Sequence, residues 1–187
     1  MTPSMDFLIG YHCAPVIRAI KVANLIAFPK TSLSQVCQQV KAYNHYFNKA
    51  GLHFYVLCSC PKQRLVLVYR RRELAALLGQ ASISSFLESY GYKAEGVDQA
   101  LRQLRKRVTE NQEFPHEIGI FLGYPLLDVQ SFIRQKGKGS CLCGGWKAYT
   151  NQSLAAWKFY CYRICRQYCY RQLVAGKSLE SLVIKAA

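Results

Sequence analysis

Acidic residues are the scarce class in this chain. Ten Asp and Glu stand against 25 Lys and Arg in 187 residues, a formal charge of +15, and none lies between Val129 and Leu179. That imbalance favours association with something acidic and says nothing about fold. Long apolar runs are missing too. No stretch approaches the roughly 18 apolar residues of a membrane span, so no membrane association is expected. Residues 1–12 lack a basic n-region, and Phe7-Leu8-Ile9 is too short for the apolar core of a secretory signal. Neither G-x-x-x-x-G-K nor G-x-G-x-x-G occurs, which removes the common phosphate-cradling loops. What is abundant is apolar: 51% hydrophobic against 19% charged residues excludes a disordered chain. Nine cysteines, an odd number, fit reduced thiols in a cytoplasmic protein that forms its core without disulfides.

Periodicity and punctuation divide the chain into short elements. Pro15 is placed to start a helix that runs to Phe28 before Pro29. Ser32 caps a second helix, to Ala50, closed by Gly51. Residues 53–58 and 64–70 are rich in β formers, and the Cys58-Ser59-Cys60-Pro61-Lys62 turn makes them a hairpin. Helices are expected over 72–78, 83–90 and 97–108. The alternation of Ile118, Ile120 and Leu122 predicts a strand. A helix over 125–136, a glycine-rich loop over 137–145, a short strand at 146–149 and a long helix from Ser153 to Ala175 complete the reading. With no internal repeat or linker, the expectation is a single α+β domain over 1–187, helices packed on a small mixed or antiparallel sheet.

The least generic segment is Phe114-Pro115-His116-Glu117-Ile118-Gly119-Ile120-Phe121-Leu122-Gly123-Tyr124-Pro125. Asp128-Val129, Phe132-Ile133, Lys136-Gly137 and Gly144-x-Trp146-Lys147-x-Tyr149 follow it, and His12-Cys13-Ala14-Pro15 precedes it. Together these resemble an uncharacterised bacterial family, the domain of unknown function 3793, nearly end to end. Ala148 and Thr150 depart from the Val and Gly of that pattern. The resemblance implies a boundary and no catalytic residues.

Two chemistries compete. A thiol-dependent hydrolase or transferase would use Cys13, at a helix N-terminus that favours thiolate, with His116 as base and Glu117 or Asp128 as orienter. The order, cysteine on an early helix and histidine on a later strand, is that of papain-like amidases, an analogy of fold only. Strand alternation places Glu117 opposite His116, which makes it a poor orienter. The plainer alternative is a buried Cys13 and a hydrogen-bonded His116. A binding or regulatory module would instead present Arg134, Lys136, Lys138, Lys158, Arg163 and Arg166 to nucleic acid or another polyanion. In the long helix, Leu154, Trp157, Cys161, Ile164, Cys165, Tyr168 and Cys169 form the expected core stripe. Phe159, Tyr160, Arg163, Arg166 and Tyr170 form the solvent face. Cys58-x-Cys60 and Cys141-x-Cys143 are spaced too closely for structural zinc, and no metal or cofactor is expected.

Overall fold

A computed structural model describes residues 4–28, 32–58, 64–93, 95–110 and 114–185. Helices α1 (Met5–His12) and α2 (Ala14–Ile17) lead into strand β1 (Ala23–Phe28). Helix α3 (Leu33–Phe47) precedes strands β2 (Leu52–Cys58) and β3 (Arg64–Arg70). Then come α4 (Arg71–Leu78), α5 (Ala81–Glu88), α6 (Val97–Glu110), α7 (Ile118–Phe121) and α8 (Leu126–Arg134). A two-stranded ribbon, β4 (Leu142–Cys143) and β5 (Lys147–Ala148), precedes α9 (Gln152–Val174) and α10 (Leu179–Leu182). The result is the single α+β domain expected.

Strand β3 organises the molecule. It runs between β1 and β2, antiparallel to both, with Leu67 opposite Leu25 on one side and Tyr55 on the other. Both faces of β3 are buried, so strand alternation divides its side chains between two cores. Leu65, Leu67 and Tyr69 pack with Leu74, Leu87, Leu101, Leu104 and Phe121, under α4 to α8. Val66 and Val68 pack with Ile9, Val16, Ile17, Val36 and Cys169, under α1 to α3 and α9. A third, smaller cluster holds Trp146, Ala148 and Ala155.

Arg70 ends β3 with its side chain fully buried. Its guanidinium donates to the carbonyls of Val16 (2.9 Å), Ile17 (2.6 Å) and Ala50 (2.8 Å). These include carbonyls at the C-terminal end of α2, where the backbone dipole favours a cation. One side chain thereby ties α2, the turn after α3 and the sheet together.

Three expectations need correction. The helix expected through Phe28 stops at Ile17, and Ala19 turns the chain at φ +58°. Residues 23–28 then form a strand, because they complete the free edge of β3. The strand expected at Ile118–Leu122 is the short helix α7, buried throughout; Gly119 sits so close to Val129 and Tyr124 that a Cβ would lie 2.8 Å from Val129. The third concerns α9. Only Ala155 and Cys169 of its 23 residues are buried, while Leu154, Trp157, Ile164 and Tyr168 of the expected core stripe are exposed. Phe159, assigned to solvent, packs on Trp146 instead. The turn expected at 58–62 lies, beyond Cys58, outside the described residues. Ser32 does cap α3, in a reciprocal capping box with Gln35, and Gly51 ends the following turn at φ +77°.

Candidate ligand-binding site

The residues proposed for thiol chemistry do not form one constellation. Cys13 is completely buried in the α1/α2/α9 core. Burial pushes its thiol up to about 12, with Lys21 and Asn24 acting in the other direction. A thiol at that value is protonated and inert at neutral pH. His116 lies in the turn before α7, edge-on to Phe132 at 5.0 Å, and borders a cleft of about 220 Å³ with Asp128 and Trp146. Cys13 does not line that cleft. Glu117 is buried away from it, accepting hydrogen bonds from Arg107 Nε and from Tyr92 Oη (3.2 Å). Asp128 accepts from Trp146 Nε1 (2.8 Å), Tyr149 N (2.8 Å), Thr150 N (3.0 Å) and Thr150 Oγ1 (3.0 Å). Both carboxylates thus hold loops and helices in place. Iodoacetamide added to the native protein is expected to leave Cys13 unmodified while the exposed Cys141 and Cys143 react; modification of Cys13 at a rate comparable to theirs would show an open path to the sulfur.

A larger cavity, about 480 Å³, opens where the ends of α1 and β1 meet the glycine loop and α9. Its cations are Lys21, Arg163 and Arg166, and its rings are Tyr124, Phe159, Tyr160 and Tyr162. Lys21 reaches it from the turn before β1. Its Nζ lies 5.2 Å from the centre of the Tyr124 ring and 5.7 Å from that of Tyr162, and donates to Asn24 Oδ1 at 2.7 Å. Asn24 is held in turn by donating to the carbonyl of His12 (2.8 Å). Burial, then the Arg166 charge, lower Lys21 to about 8, with Cys13 acting the other way. The same two causes lower His12 below its ordinary value. Burial raises the phenol of Tyr124, and that of Tyr162 to about 12, so both stay protonated. Positive charge sits here in partial desolvation, and among the described residues no carboxylate lines the cavity.

The walls are braced from behind. Trp146 stacks on Tyr124 at 5.2 Å and meets Phe159 edge-on at 4.5 Å, while its indole N–H is fixed by Asp128. Tyr124 Oη donates to the carbonyl of Gly145 (2.9 Å). Gly144 has no room for a side chain: a Cβ there would come within 2.4 Å of the Phe159 ring. Gly123, at φ +75°, supplies the left-handed turn that delivers Tyr124 to the wall.

The family described as "Protein of unknown function (DUF3793)" matches residues 9–183, a span that contains every residue of this cavity. The chain belongs to that family. No curated protein and no solved structure matches it. Within this DUF3793 protein the basic residues singled out from sequence separate. Arg163 and Arg166 enter the cavity. Arg134 borders a different depression with Phe86 and Tyr90, and Lys136 and Lys138 flank the turn after α8. Lys158 lies on a third side of α9, about 140° round the helix from Arg163 at 100° per residue. Sequence reasoning missed Lys21, Asn24 and His12. Lys21 and Arg18 are the two cations between the apolar residues 14–17 and the mostly apolar 22–28, a faint signal that the expected helix concealed.

Proposed function

We propose that this DUF3793 protein is a binding module for an anionic ligand that carries a planar ring, of nucleotide chemistry, taken free or as one unit of a nucleic-acid strand. The observation that carries the reading is the Lys21 ammonium between the Tyr124 and Tyr162 rings, in one cavity with two guanidiniums. Arginine forks pair with phosphate oxygens, aromatic faces stack on bases, and partial desolvation strengthens both. A volume of about 480 Å³ is of the size that small-molecule sites occupy. Dispersal of the other cations over several surfaces favours one discrete pocket over an extended polyanion track. A reducing, cytoplasmic setting suits the free thiols. The thiol-enzyme alternative has no comparable support, since Cys13 is sealed.

Calorimetric titration of the full chain with adenosine monophosphate and with a short single-stranded oligonucleotide tests the reading. Binding of either is expected, weakened about tenfold or more in Lys21→Met and in Arg166→Ala. A steep fall of oligonucleotide affinity with salt, beside a shallow one for the mononucleotide, identifies a strand as the ligand. No heat from either probe, or unchanged affinity in Lys21→Met, overturns the reading. Affinity should also be level between pH 7 and about 8 and then fall by up to tenfold per pH unit. Above about 8 the free Lys21 is neutral and binding must take up a proton. That fall is expected to vanish in Lys21→Met.

A further inference from the structure

Helix α9 carries two lengthwise seams, and the fold uses one. Ala155, Phe159, Tyr162, Cys169 and Leu173 face the protein, packed on Trp146 at one end and on α1 at the other. Gly10 of α1 lies so close that a Cβ there would meet Leu173 at 2.7 Å. The second seam is Leu154, Trp157, Cys161, Ile164 and Tyr168. Its steps alternate three and four residues, the spacing of paired helices. Trp157 is 62% exposed, Ile164 43% and Tyr168 44%. At 100° per residue the five positions fall within about 80° of arc and along about 21 Å of helix. An ordered apolar row of this kind on a surface marks an interaction site.

Charge selects the occupant. Lys158 borders the row, Arg171 continues it one step beyond Tyr168, and the Arg18 guanidinium lies over the Tyr168 ring at 5.2 Å. None of the ion pairs among the described residues involves an α9 cation. A second copy meeting it seam to seam would bring only more cations to this face, because 129–179 holds no acid. A lipid surface calls for a broad apolar face with basic flanks. This row is narrow, and the uncharged polar residues Ser153, Gln167 and Gln172 occupy much of its border. We infer that the outer seam of α9 docks an acidic amphipathic helix of a partner protein, laid alongside α9 with its own apolar residues in the gaps of the row. The surface is on the far side of α9 from the cavity and stands independently of the reading given to it.

The probe is a synthetic helical peptide with leucine at the a and d positions and glutamate at e and g, mixed with the full chain. Its expected signature is a blue shift of Trp157 emission, saturable at micromolar peptide. Affinity should fall tenfold or more in Ile164→Glu, whose exposed position leaves the circular dichroism unchanged. Trp157→Ser is expected to weaken binding equally, read by anisotropy of labelled peptide. The same leucine peptide with lysine in place of glutamate should not bind. Equal binding of both peptides, or binding of neither, overturns the inference. So does a concentration-dependent dimer abolished by Ile164→Glu, which would make a second copy the occupant. A Trp157 shift produced by anionic vesicles and not by the acidic peptide likewise overturns it in favour of lipid.

Discussion

Arg70→Met is expected to destabilise the protein by about 3–5 kcal/mol, the range for removing one partner from a buried charged hydrogen-bond set. Methionine fills a similar volume, so the loss reports the three carbonyls of Val16, Ile17 and Ala50 that the guanidinium satisfies. Those groups are stranded inside the protein, and water cannot replace the donor without opening the α2 end. Desolvation lowers Arg70 from its ordinary value, with Glu73 acting the other way, yet an arginine remains charged at any pH where the protein folds. Arg70→Lys is the discriminating control. It retains the charge but brings one nitrogen where three are needed, so it should recover less than half of the loss. Urea unfolding read by circular dichroism measures both variants. A chain of this size loses about 2–4 °C of melting temperature per kcal/mol, so the methionine variant should melt roughly 10 °C lower or more. A methionine variant within about 1 kcal/mol of the parent, or a lysine variant equal to it, would show that the fork geometry contributes little.

Arg70 also marks what the sequence could and could not convey. Arg70-Arg71-Arg72 reads as one basic cluster, yet Arg71 pairs through two bonds of 2.7 Å with Asp98 at the surface while Arg70 is internal. Arg70 is the last residue of β3 and Arg71 opens α4, so the two part where the strand gives way to the helix, a boundary fixed by the strand's partners. Elements stated by local chemistry were legible: Ser32 starts α3, and segments rich in β formers mark β2 and β3. Elements that depend on distant partners were not. Ala23–Phe28 has apolar residues at helical spacing and becomes a strand because β3 has an edge to fill. Ile118, Ile120 and Leu122 alternate, yet α7 forms where Gly119 meets Val129 and Tyr124.

The same limit explains the two sides of α9. Both its seams have helical spacing and are built of apolar and aromatic residues, so a wheel alone does not choose between them. The inner seam prevails because Gly10 and Gly144 let α1 and the glycine loop approach Leu173 and Phe159. Cavity and outer seam are therefore consequences of one packing choice. Rotating α9 to bury Trp157 and Ile164 would withdraw Arg163 and Arg166 from the cavity.

Asp128→Ala is expected to cost about 3 kcal/mol and to weaken ligand binding in the cavity, although Asp128 is not among the residues lining it. The carboxylate accepts four hydrogen bonds, two of them from the buried Trp146 indole and the Tyr149 amide. Buried donors left without an acceptor cost about 1–3 kcal/mol each, while the groups of exposed Thr150 can turn to water. Asp128→Asn separates the strands of the argument. Its amide oxygen still serves Tyr149 and Thr150, but its NH2 confronts the Trp146 N–H, placing two donors face to face. Loss of that one bond frees the ring on which Tyr124 and Phe159 rest. Asp128→Asn should therefore cost about 1–2 kcal/mol in the parent and distinctly less in Trp146→Phe, which has no N–H to oppose. In the parent it should also weaken adenosine monophosphate binding, and in Trp146→Phe it should change that binding little further. Additive stability losses in the double variant would mean that Asp128 acts through the loop backbone alone, leaving Trp146 to brace the cavity by packing.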